Sequence, residues 1–149
     1  MASFSIAFTG QVADYDPSVA VGEITLGEHG ETFHAEVGFW QISDYESSWA
    51  SALARVTSES VITSCLVTSI SNPEHANFIA VWPMYRFGDT IHVQNQMVFL
   101  DELTEPFDPA RPWDYVDDFE VVDEDGNDIS DWVVSVSEVV DFMNAGLKE

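Results

Sequence analysis

A chain of 149 residues with 46% apolar and 13% aromatic side chains can bury one core without disulfides or metals, so it is read as a single domain, residues 1–149. Four Lys and Arg against 27 Asp and Glu leave a net charge of −23. That balance argues against nucleic acid or anionic lipid as a ligand and favours a cationic partner, including a protein that itself binds nucleic acid. The opening MASFSIAFTG has no basic region and alternates apolar with polar residues, so no signal peptide is expected. No apolar run approaches the roughly 18 residues of a membrane helix. The single cysteine, Cys65, lies in the apolar run VITSCLVTSI, which reads as a buried thiol in a reducing cytoplasm.

In chain order, the first third reads as strands. SFSIAFTGQV alternates Phe4, Ile6 and Phe8 with polar neighbours, VGEITLG alternates in the same way, and GEHG is a turn into ETFHAEVGFW. The period then changes: Tyr45, Trp49, Ala52, Leu53 and Val56 fall on one face of a helix over about 43–57. Ser43 and Glu46 have the spacing of a capping box at its start. SVITSCLVTSI reads as a buried strand, and NFIAVWPMYRF and TIHVQNQMVFL as a hairpin about Gly88 and Asp89. Pro83 suggests an edge or a bulge in the first arm, because it cannot donate to a ladder. Asp125 and Gly126 mark a second hairpin between FEVV and DWVVSV, and a last helix is expected over about 137–146, with Gly146 as its C-cap. Strands with one central and one terminal helix give an α+β class with a mainly antiparallel sheet.

Residues with chemical potential do not assemble into a catalytic or metal motif. VDEDGNDISDW fits a calcium loop at Gly126, Asp123 and Asp125 but puts Val121 and Trp132 where Asp and a bidentate Glu are needed, which favours an acidic turn. His29, His34, His75 and His92 lack ligand spacing, no Ser lies in a nucleophile elbow, Cys65 has no local His, and no phosphate loop is present. The sequence thus argues against an enzyme and implies no metal and no cofactor. HVQNQM places His92, Gln94 and Gln96 on one face of a strand, either as a binding row or as a solvated face. Trp40, Trp49, Trp82 and Tyr85 read as core.

Thirteen carboxylates lie between Asp101 and Asp131, interleaved with Trp113, Tyr115, Phe119, Val121, Val122 and Ile129. A solvated face is one reading, and adaptation to brine is another, although that acidity would be spread evenly over the chain. The third is an anionic face that fills a basic groove, with Asp101, Glu102, Glu105, Asp108, Asp114, Asp117, Asp118 and Glu120 pairing with Arg and Lys, and Trp113 and Tyr115 as anchors.

The ordered series W-x-x-x-D-Y-E-x-x-W-x-x-A-L ending at Leu53, N-F-I from Asn77, W-P-x-Y from Trp82, and VQNQ with F-L-D-E-L from Val93 resembles the bacterial contact-dependent growth inhibition (CDI) immunity proteins. The likeness runs over about residues 21–145 and includes FDPARPW and DEDGNDISDWVVSVSEVVDFM. It implies a cytoplasmic monomer that forms a 1:1 complex with the C-terminal domain of a toxin delivered by a neighbouring cell. It further implies that the toxin is a ribonuclease, in some cases ribonuclease A-like, whose active site is covered. The shared residues Trp40, Tyr45, Trp49 and Trp82 take no binding role from it. A DNA-mimic inhibitor of a nucleic-acid-binding protein is the alternative reading of the charge.

Overall fold

The computed structural model describes residues 4–145. Its elements are β1 (Phe4–Ala13), β2 (Asp16–Leu26), β3 (His29–Glu36), α1 (Ile42–Val56), β4 (Val61–Ser69), β5 (Phe78–Phe87), β6 (Thr90–Gln94), β7 (Gln96–Phe99), β8 (Asp131–Ser135) and α2 (Val136–Asn144). Short 3-10 turns occupy Leu100–Glu102 and Pro112–Tyr115. The class is α+β as expected, with the antiparallel strands divided between a sheet of order β1-β2-β3 and a larger one of order β4-β5-β6-β8, to which β7 adds by pairing with β5. Among the described residues no helix is long and apolar enough to cross a membrane.

The helical stripe read from the sequence is the buried face of α1: Tyr45, Trp49, Ala52, Leu53 and Val56 are all fully buried. α1 lies between the two sheets. On one side Phe8 stacks on Trp49 at 5.0 Å between ring centroids and Phe33 meets it edge-on at 5.9 Å. On the other side Trp49 Nε1–H donates to the Val67 carbonyl at 2.7 Å, and the Ser64 hydroxyl donates to the Ala52 carbonyl at 2.8 Å. Gly22 makes the Phe33 position possible, because a Cβ there would sit 2.3 Å from the ring. Two further ring contacts tie the smaller sheet down: His29 stacks on Trp132 at 4.4 Å, and Phe4 meets Phe142 of α2 at 5.5 Å.

Three local expectations need correction. The helix starts at Ile42, with Gln41 as its N-cap, because the Asp44 carboxylate accepts the Gln41 N–H at 2.8 Å. The real closure is thus one turn of Q-x-x-D, two residues before the Ser43–Glu46 spacing. Pro83 is on the central strand β5, not at an edge. The register with the neighbouring strand is the same on both sides of it (Met84 opposite Val93, Val81 opposite Gln96), and the N–H it lacks falls opposite Gln94, where β6 gives way to β7. The second hairpin is reduced to a turn: Gly126 has φ +85°, a single bridge joins Val122 to Asp128, and β8 pairs instead with β6. α2 begins at Val136 behind a Ser135–Glu138 capping box, while Gly146 lies outside the described residues.

Tyr45 carries the buried polar load of this core. Its hydroxyl donates to the Glu36 carbonyl at 2.6 Å and accepts the Ile70 N–H at 2.9 Å. Burial pushes its phenol up to about 12. Tyr45→Phe should therefore cost about 1–3 kcal/mol, read as a lower urea midpoint at unchanged slope. The raised phenol also sets a sign. Below the unfolded value of about 10 its contribution is complete, and above it the unfolded chain loses its proton first, so stability falls as pH rises towards about 12. That alkaline loss should be shallower in Tyr45→Phe.

Candidate binding surface

Alternation along the larger sheet puts Leu66, Trp82, Met84, Val93 and Trp132 on the face towards α1 and the smaller sheet. Tyr85, Phe87, His92, Gln94 and Asp131 are on the other. The acid-rich segment covers this second face as a strap. It carries little regular structure of its own and is held by groups of the sheet. The Tyr85 hydroxyl donates to the Asp117 carbonyl at 2.6 Å, the Gln94 amide to the Glu120 carbonyl at 2.9 Å, and Gln96 Oε1 accepts the Asp117 N–H at 3.5 Å. Phe119 is wedged against Tyr85, Phe87 and His92, at centroid separations of 5.3, 5.3 and 4.7 Å. Burial, and then the nearby Asp117 and Asp118 carboxylates, push the Tyr85 phenol well above its ordinary value, so it remains a donor.

The polar row of HVQNQM is engaged within the protein, not a fully solvated face. Gln94 is buried and also donates to Asp131 Oδ1 at 2.9 Å, while Asp131 Oδ2 takes His92 Nδ1 at the same distance. Asp131 joins β6 to β8 through these bonds, while the Gln94 amide and the His92 ring also hold the strap at Glu120 and Phe119.

The ten candidate residues fall into three places. Asp101, Glu102 and Glu105 are exposed just beyond β7. Asp108 and Asp114 flank Arg111, each 3.5 Å from its Nε, in pairs open enough to water to contribute little. Asp117, Asp118 and Glu120 are exposed at the centre of the strap, without a salt bridge among the described residues. Asp117 and Asp118 form a ridge between two grooves. One, of about 520 Å³, has Phe87, Trp113, Asp114 and Phe119 in its walls. The other, of about 480 Å³, has Gln94, Asn95, Gln96, Glu120, Asp123 and Glu124.

Both candidate anchors use one side for contacts within the protein. The Arg55 guanidinium sits 4.5 Å over the Trp113 ring. The Tyr115 hydroxyl accepts the Asp108 N–H at 2.9 Å, and its ring lies 4.7 Å from Phe107. Each remains half-buried. In the sequence Asp123 and Glu124 stand out only as part of an acidic turn. Asp123 Oδ1 does accept the N–H groups of Asp125 and Asn127, both at 2.9 Å, and that turn forms one wall of the second groove.

The bases do little to offset this charge. Arg55 donates to the Thr63 carbonyl, and Arg86 donates to the Gly88 and Val56 carbonyls. The central carboxylates of the strap therefore lack internal counter-charges among the described residues.

Residues 35–142 match the CdiI N-terminal domain family, and the chain belongs to it. The Immunity protein CdiI of Enterobacter cloacae subsp. cloacae is 31% identical over 127 residues, a match that covers 85% of this chain and 86% of that protein. A solved CdiA-CT/CdiI toxin and immunity complex from Enterobacter cloacae contains a chain that matches with a TM-score of 0.85 and 29% identity, over 95% of this chain and 97% of that one. The resemblance to CDI immunity proteins is thus established, and the structural match, over 95% of the chain, reaches into residues 1–20, for which the sequence motifs gave no support.

Phe119→Ala should remove the wedge under the strap. The expected result is a loss of about 1–3 kcal/mol, below the cost for a fully buried Phe. The His92 ring resonances should shift in NMR spectra while the Trp49 signals stay in place.

Proposed function

We propose that this protein binds the C-terminal domain of a cognate CdiA-type toxin and neutralises it, with no chemistry of its own. The carrying observation is that the solved chain it matches over nearly its whole length comes from a toxin and immunity complex. The acidic strap supplies the second part of the proposal. The toxin is a ribonuclease, and the strap covers its basic active site so that RNA cannot enter. Exposed carboxylates on a tethered main chain suit that role, because they are held in place before binding and meet Arg and Lys in charge-assisted bonds. The complex is 1:1 and forms in the cytoplasm.

Co-expression with the toxin domain, co-purification and an RNA-cleavage assay on the complex test the proposal. Binding with blocked cleavage is expected. Binding with continued cleavage would rule out active-site coverage, and binding to DNA-binding proteins in general would favour a DNA mimic. Reversal of Asp117 and Asp118 to Lys should weaken the complex by about 2–5 kcal/mol if those carboxylates are desolvated in it, with a slower association rate at low salt. Unchanged affinity would remove this ridge from the interface.

A further inference from the structure

The larger sheet is closed along β6 and open along β7. β8 pairs with β6 from Thr90 to Gln94 and stops there, and β7 pairs with β5 alone. Among the described residues, no main-chain hydrogen bond reaches the other edge of Gln96–Phe99. The alternation of an antiparallel ladder fixes which groups that edge presents. Leu100 N–H donates to the Asn77 carbonyl at 3.0 Å, so Leu100, Val98 and Gln96 turn their main-chain groups towards β5. Asn95, Met97 and Phe99 turn theirs outwards. The side chains of Met97 and Phe99 are 50% and 45% exposed, and Phe78 lies beside Phe99 with ring centroids 6.2 Å apart. Unpaired main chain and exposed apolar surface thus occur at the same residues.

Proteins usually blunt such an edge with Lys, Pro or a bulge, because it invites another strand. β7 has none of these. Its protection is charge: Asp101 and Glu102 follow the strand, and Asp117, Asp118, Glu120, Asp123 and Glu124 line the groove of about 480 Å³ that contains Asn95 and Gln96. At a net charge of −23, a second copy of this chain would bring like charge to the edge and be repelled. A segment carrying Lys or Arg would be drawn in.

We propose that Asn95–Phe99 is the docking edge for an extended, basic segment of the partner protein, which joins the larger sheet as a strand beside β7. One face of that strand packs on Met97 and Phe99, and the other brings basic side chains to the groove's carboxylates. The inference rests on the toxin-binding reading and specifies its contact.

The test uses the full chain and the CdiA-CT toxin domain. Met97→Pro removes an outward N–H without touching the ladder to β5, while Met97→Ala removes a similar part of the side chain and keeps the N–H. Met97→Pro should bind at least about tenfold more weakly than Met97→Ala. In the wild-type complex, which needs no variant to fold, amide exchange at Met97 and Phe99 should slow on binding. Equal affinities of the two variants, or amides that exchange equally fast free and bound, would overturn the proposal. If that happened while Asp117 and Asp118 reversal still weakened the complex, the acidic-face reading would stand alone. If the toxin domain did not bind at all, both would fall.

Discussion

The arrangement of this molecule depends on Trp49. It reaches both sheets at once: Phe8 and Phe33 of the smaller sheet meet its ring, and its N–H is bound to the Val67 carbonyl of the larger. A buried indole needs both an apolar enclosure and a partner for its one donor, and few placements satisfy both. Tyr45, one helical turn earlier, repeats the logic with its hydroxyl between Glu36 and Ile70. Together these residues fix the position of α1 and, through Val67 and Ile70, of the β4 edge. The strap then lies over a sheet whose position is already set.

Within the strap, the contacts with the sheet are made by main-chain carbonyls and rings while most carboxylates face water. The division follows from electrostatics. A carboxylate turned inward would lose its hydration, and with so few bases in the chain there is nothing to replace it. Asp131 is the instructive exception. It is more enclosed than the strap's central acids, and it sits between the His92 ring and the Gln94 amide, both of which can donate to it.

What could be read from the sequence divides along the same line. The stripe of α1 was legible because period and burial coincide over five positions, and the hairpin at Gly88 was legible because turn chemistry is local. The cap of α1 is not legible in the same way, because Ser43–Glu46 and Gln41–Asp44 offer overlapping solutions, and only the entry of the chain from β3 decides between them. From the sequence Pro83 reads as an edge or a bulge, because a rule about donors does not show that a single missing bond can be tolerated inside a sheet whose register continues past it. The strap was legible as acidic and foldable but not as a strap, since its tethers join residues as far apart as Tyr85 and Asp117. Gln94 illustrates the limit: alternation gave the correct face, but whether that face was wet depended on a segment more than twenty residues away.

The main-chain tethering of the strap has an evolutionary meaning. Because Tyr85 and Gln94 hold carbonyls of Asp117 and Glu120, which every residue type carries, the strap's path does not require acids at those two positions. Exchanges at 117 and 120 should thus carry little folding cost. A scaffold built this way can change its outer side chains while its aromatic interior stays fixed.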